Sequence, residues 1–151
     1  YLESEEDMPS SGQELLEVYP ETLYSDFVSL IQAKKEFSKG EKEKAIDLLT
    51  LLIERHSDSS NEFNPLVTAA KTRLCRIYMS QKDFQNVLNT LSDSNVLTAS
   101  LLELKGDAEN QLGLYELARV SYMRALQNSP SQTSRALINM KISDLEGEKI
   151  E

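Results

Sequence analysis

Leu102–Pro130 reads L-E-L-K-G-D-A-E-N-Q-L-G-L-Y-E-L-A-R-V-S-Y-M-R-A-L-Q-N-S-P, and its small and aromatic residues fall at fixed intervals. Gly106 and Gly113 are seven apart; Tyr115 follows by two, Ala118 by three, Tyr122 by four, Ala125 by three and Pro130 by five. The spacing describes two antiparallel helices with a small residue where they touch and a turn between them. An aromatic fills the join, and a proline starts the next helix.

Working outward, the same register recurs twice upstream. Ala33, Cys75 and Gly106 take the close-contact slot of a first helix, and Ala45, Val87 and Ala118 the matching slot of a second. Leu49, Leu91 and Tyr122 each follow four residues later. The units are separated by 42 (75−33) and 31 (106−75) residues. These values bracket the roughly 34-residue period of the tetratricopeptide repeat, which the pattern resembles. The expected fold is therefore all-α: a tetratricopeptide-like helical solenoid of about three helix pairs with a C-terminal capping helix over the last apolar face. Tyr78 and Phe84 join the small residues, Gly40 and Pro130 as repeat-packing positions.

Along the chain, residues 1–12 read as an acidic flexible linker, 13–146 as the repeat domain and 147–151 as a tail. Leu23, Phe27, Leu30, Ile31 and Phe37 predict an inward stripe on the first helix, which Gly40 ends. Ala45, Leu49, Leu52 and Ile53 face inward from the second, roughly 41–56. Asn64–Pro65 is a start signal for the third, with Leu74, Ile77, Tyr78 and Met79. Asp83–Phe84 opens the fourth, with Val87, Leu88 and Leu91. Two more run about 96–112 and 114–128. The last starts from Ser131, buries Ile138, Ile142 and Leu145, and is expected to stop at Gly147.

The composition narrows the function. A net charge of −9 disfavours nucleic acid and anionic lipid as partners. Cys75 is the sole cysteine, so no internal disulfide forms, and its tight slot predicts a buried, inert thiol. His56 is the sole histidine and is expected to face solvent at a helix C-terminus, complementing the dipole. Asp58–Glu62 has the look of a calcium loop, but Phe63 stands where that loop needs glycine and no bidentate Glu follows. No glycine-rich phosphate loop appears. The sequence therefore gives no catalytic, cofactor or metal residues, and the expectation is a non-enzyme.

In stacked helix pairs the first helix of each pair lines a groove. The register places Lys34, Phe37, Thr72, Arg76, Met79, Glu103, Asp107 and Gln111 there, a mixture suited to an extended or helical peptide. Glu103 and Asp107 would repel a C-terminal carboxylate. Leu15–Tyr19 offers an alternative, packing back on Phe27 and Leu30 so that the chain fills part of its own groove.

From about Tyr19 to Leu145 the chain resembles the YfgM-like family, tetratricopeptide-like ancillary subunits of the bacterial SecYEG translocon. The likeness rests on F-S-K-G-E-K-E-K-A-I-D-L-L (Phe37–Leu49), L-K-G-D-A-E (Leu104–Glu109) and the ending N-M-K-I-S-D-L (Asn139–Leu145). Tyr122 departs from it, since the family is expected to carry Trp there. The resemblance implies the periplasmic domain of a single-pass inner-membrane protein of a Gram-negative bacterium. The membrane would be met only through an N-terminal anchor absent from this chain, and Tyr1 in place of Met fits a piece of a longer protein. It also implies protein partners: the SecYEG translocon, a PpiD-like chaperone and exported clients. The expected function is a non-enzymatic scaffold or chaperone-like module. The alternatives are a soluble adaptor of another secretion or envelope-assembly pathway, or an oligomerisation domain.

Overall fold

Gly40, Lys82 and Gly113 have left-handed backbones, with φ of 86°, 59° and 76°. The hydrogen bonding is the same in all three turns. The N–H of Glu41 donates to Glu36 O (2.9 Å) and that of Gly40 to Phe37 O (3.0 Å). Asp83 and Lys82 repeat this onto Tyr78 (2.9 Å) and Met79 (3.1 Å), and Leu114 and Gly113 onto Glu109 (2.8 Å) and Asn110 (3.0 Å). Such paired bonds satisfy the last helical carbonyls and reverse the chain. The turns lie 42 (82−40) and 31 (113−82) residues apart, the intervals of the sequence register. The repeat is written in the backbone, with a lysine standing in the middle turn.

The computed structural model describes residues 23–59, 62–92 and 97–150, the side chains of 148–150 aside. The 1–12 segment and Leu15–Tyr19 lie outside the described residues. Among the described residues the fold is all-α: α1 Leu23–Ser38, α2 Lys42–Arg55, a 3-10 turn Ser57–Ser59, α3 Pro65–Ser80, α4 Phe84–Leu91, α5 Ala99–Gln111, α6 Tyr115–Asn128 and α7 Gln132–Ile150. Several starts carry side-chain caps, the one at Asn64 as the sequence suggests. Asn64 Oδ1 accepts from Leu66 N at 3.0 Å, Thr98 Oγ1 from Leu101 N at 3.3 Å and Ser131 Oγ from Ser134 N at 3.1 Å. Two boundaries differ: α5 begins at Ala99, behind its Thr98 cap, instead of near 96, and α7 runs through Gly147 to Ile150, because a single glycine weakens a helix without ending it.

The chain forms two compact units. The first holds described residues 23–59 and 64–70, the second 62–63 and 71–150. In the first, α1 packs antiparallel on α2, burying Leu30, Ala33, Ala45, Leu49 and Leu52. The expected apolar stripe of α1 is only partly inward. Leu30 is buried and Ile31 half-buried, whereas Leu23, Phe27 and Phe37 are exposed. Ser25, Asp26 and Ser29 are buried in their stead, because α2 presents Arg55 to them and His56 follows at its end.

In the second unit, successive helices stack in a row, and α5 serves two cores. Leu101 and Ala108 pack with Cys75, Val87 and Leu91, flanked by Tyr78, Met79, Phe84 and Leu88. Leu102 packs with Ala118, Tyr122, Ala125, Ile138 and Leu145, flanked by Leu126 and Ile142. The last helix covers the apolar face that α5 and α6 leave open, as a repeat stack requires.

Candidate partner-binding surface

Glu103, Asp107 and Gln111 follow one another at four-residue steps on α5 and so share one helix face. Two neighbours fix the middle of this row. Tyr122 on α6 donates its hydroxyl to Asp107 Oδ1 at 2.6 Å. Lys141 on α7 donates to Glu103 Oε1 at 2.7 Å and to both Asp107 oxygens at 3.0 Å. Its ammonium also lies 5.9 Å from the Tyr122 ring centroid. Burial opposes the lysine's charge. The hydrogen bonds and negative charges of Glu103 and Asp107 outweigh that and hold it above its ordinary pKa. Burial, then the bond to Asp107 and the nearby carboxylates, raise the Tyr122 phenol and keep it protonated.

A second, buried carboxylate lies close by. Glu109 Oε2 accepts from Ser121 Oγ at 2.7 Å, and Lys105 Nζ stands 4.0 Å from its other oxygen. Ser121 and Tyr122 are adjacent on α6, so one stretch of that helix holds acidic groups on both sides of Gly106. The glycine makes this possible. A Cβ there would lie 2.5 and 2.6 Å from Tyr122 Cε1 and Cδ1, inside the ring's own van der Waals space.

The remaining residues read from sequence as groove-lining are more dispersed. Arg76 is exposed on α3, Thr72 is half-buried, and Met79 packs into the core around Cys75. Lys34 and Phe37 are exposed on α1, in the first unit. The structure thus gathers Glu103 and Asp107 under Lys141, leaves Gln111 open at the end of that row, and turns Met79 inward. Among the packing positions, Gly40 and Gly113 have no atom within 4 Å of an added Cβ, so they serve the turns and not the contacts. Tyr115 is 37% exposed and fills its join only partly. Cys75 is 0% exposed, and burial pushes its thiol up to about 12, against a smaller lowering by Lys71.

Sequence reasoning missed Lys141 and the whole polar face of α1. For Lys141 a signal existed: it sits three residues after Ile138 and four before Leu145, hence on the inward face. On α1, Asp26 is 1% exposed, 3.1 Å from Arg55 Nη2 and 2.6 Å from His56 Nε2. Arg55 also donates to Ser29 Oγ at 3.1 Å and Ser25 Oγ at 3.4 Å, and Ser29 Oγ donates to Ser25 O at 2.9 Å. The solvent-facing histidine expected from the sequence is thus corrected: His56 is half-buried and tied to a carboxylate. Its partner lies thirty residues away and escapes any local pattern. Among the described residues no cluster of His, Cys, Asp and Glu is arranged to hold a metal, and no helix is long and apolar enough to cross a membrane.

The chain matches the family model of the tetratricopeptide repeat-like domain over residues 2–147, and it belongs to that family. No curated protein and no solved structure shows significant similarity to it. Domains of this kind are typically protein-interaction modules, a role suited to stacked helices that offer a preformed surface.

Proposed function

We propose that this domain is a non-catalytic scaffold that binds protein partners along the α5 face, and that it does so in the periplasm beside the Sec translocon. The observation that carries the binding reading is the Glu103–Asp107–Lys141 row. Two carboxylates against one ammonium leave a formal charge of −1 (−2+1) on a half-exposed face that continues to the open Gln111. That charge, on a chain of net −9, favours partners presenting basic or neutral segments and steers their approach. The translocon, a PpiD-like chaperone and exported clients are supported by the sequence likeness to the YfgM-like family. Lys141, which holds the row, belongs to the M-K-I-S-D-L stretch on which that likeness chiefly rests.

A photo-crosslinker placed at Gln111 of the full-length protein, in Gram-negative cells, tests this reading. The expected result is adducts with a translocon subunit or a membrane-anchored periplasmic chaperone, absent when the probe sits at the exposed Asp47 of α2. Adducts with neither class from Gln111 overturn the assignment. A second reading is favoured by Leu137 and Met140, 52% and 63% exposed on α7: the domain self-associates through its last helix. Concentration-dependent sedimentation, abolished by Met140→Glu, is its signature.

A further inference from the structure

Helices α2, α4 and α6 are the second helices of the three repeats, and the sides opposite their buried residues differ in character. On α4 that side carries Gln85 and Asn89, whose amides bond to each other at 3.2 Å. On α6 it carries Leu117, Val120 and Met123, which are 54%, 56% and 45% exposed, opposite the buried Ala118, Ser121, Tyr122 and Ala125. An amphipathic helix ordinarily keeps such residues for its packed side. Arg124 follows Val120 by four residues and Arg119 precedes Met123 by four, so one guanidinium flanks each edge of the apolar stripe. With Glu116 the stripe has a formal charge of +1 (−1+2), on a chain of net −9.

On α2 the same side is acidic. Glu43, Asp47 and Glu54 surround Leu51, which is 55% exposed, opposite the buried Ala45, Leu49 and Leu52. Lys44, beside Leu51, stands 3.8 Å from Glu41 and leaves the stripe at −2 (−3+1). Among the described residues, none of Glu43, Asp47, Glu54, Arg119 and Arg124 takes part in an ion pair.

We propose that the occupant of the α6 stripe is the α2 stripe of a second copy of this chain. Charge selects this pairing. Two α6 stripes face to face would oppose their arginines, and two α2 stripes their carboxylates, and such like-charge contacts are costly. Setting α6 on α2 brings Arg119 and Arg124 against Glu43, Asp47 and Glu54, and Leu51 covers part of the Leu117–Val120–Met123 stripe. The mutual repulsion of two acidic chains is screened beyond about 8 Å at physiological ionic strength, whereas pairs in contact are screened less. Each helix has 14 residues, about 21 Å, so the contact is small and of the weak, transient class. One such contact leaves an α6 and an α2 stripe unused, so it either closes symmetrically or recruits further copies. It uses neither the α5 row nor Leu137 and Met140 on α7.

Sedimentation velocity of the 151-residue chain over a concentration series tests the pairing. The wild type is expected to associate, and less so as salt is raised. Asp47→Arg with Glu54→Arg, and separately Arg119→Glu with Arg124→Glu, should each weaken association about tenfold or more. All four positions are exposed, so neither change removes a packed side chain. An equimolar mixture of the two variants should restore association, because each then offers the stripe that the other has lost. A wild type that stays monomeric at every concentration overturns the proposal. So do swapped chains that associate undiminished, or that stay apart when mixed. Met140→Glu should leave the association intact; its loss there assigns the contact to α7 and equally overturns the inference.

Discussion

The hairpins α1–α2 and α5–α6 occupy equivalent places in the repeat register, and both carry polar ties, but they differ in what limits the contact. Where α5 crosses α6, a glycine lets the Tyr122 ring sit against the backbone, and the contact is steric. Where α1 meets α2, Ala33 and Ala45 are small and buried, but a buried carboxylate shared by Arg55 and His56 joins the far ends. A repeat constrains how closely two helices approach. It does not dictate whether the contact is closed by shape or by charge. The difference has an energetic edge. Shape complementarity fails when an atom is added, whereas a buried ion pair fails when one partner is removed.

Removing one partner is expected to have the largest effect. Asp26→Ala strands Arg55 and His56 beside a buried void and should cost about 3–5 kcal/mol in denaturant unfolding. The comparison sharpens if charge is removed from both sides. Asp26→Leu with Arg55→Met should recover most of that loss, since apolar replacements of buried pairs are often neutral or better. If the pair of changes is as damaging as Asp26→Ala, the cluster does more than hold two helices together.

Next comes the steric hairpin. Gly106→Ala puts a methyl into the Tyr122 ring and should cost about 1–3 kcal/mol by the same measurement. Tyr122→Leu in the same chain makes room and should recover part of it, less whatever the lost hydrogen bond to Asp107 contributes. A cost for Gly106→Ala that Tyr122→Leu leaves untouched would place the strain elsewhere.

The two hairpins also differ in how much of them can be read from sequence. A slot that admits only glycine, seven residues before a turn glycine, leaves a local trace, and the α5–α6 pairing is legible from it. On α1 the strongest local signal is the Leu23–Phe27–Ile31 stripe, and it points away from α2. What turns the helix over is Asp26 meeting Arg55 and His56 about thirty residues later, and hydrophobic periodicity carries no information about such pairing. The candidate surface divides in the same way. The helical step places Glu103, Asp107 and Gln111 on one face of α5, but Lys141, the partner of Glu103 and Asp107, comes from a helix 38 and 34 residues further along. Tyr122 reads as an aromatic plug, and nothing local says that its hydroxyl seeks Asp107.

A smaller effect concerns pH. The Cys75 thiol keeps its proton in the fold up to about 12, against an ordinary value of 9.0. The folded state thus binds a proton that the unfolded chain has begun to release. The resulting stability is whole well below pH 9 and is lost as pH climbs toward 12, with the slope reaching about 1.4 kcal/mol per pH unit only midway between the two values. Tyr122 and Lys141 shift in the same direction and add to the loss above about pH 10. Cys75→Ala should flatten the slope of stability between pH 9 and 10, with the later fall retained. A slope unchanged by Cys75→Ala would mean that the thiol is wetter than its packing indicates. All three groups lie in the second unit, so the loss should register in α5–α6 amide exchange.

The smallest change expected is a gain. Lys82 holds a left-handed backbone, φ 59°, at the turn where the other two repeats carry glycine. For a side chain that conformation costs about 1 kcal/mol, which glycine does not incur. Lys82→Gly relieves it but frees the unfolded chain, offsetting a large part. The net should be a stabilisation of about 0.5 kcal/mol, read as a higher denaturation midpoint at unchanged slope. Gly113→Ala makes the reverse comparison: no atom lies within 4 Å of its added methyl, so its cost of about 1 kcal/mol is purely backbone. Gly106 has no left-handed backbone to protect, and its penalty comes only from the tyrosine ring. If Lys82→Gly destabilises, the lysine side chain makes a contact in that turn that outweighs its backbone strain. The middle repeat would then be closed by a side chain, unlike its neighbours.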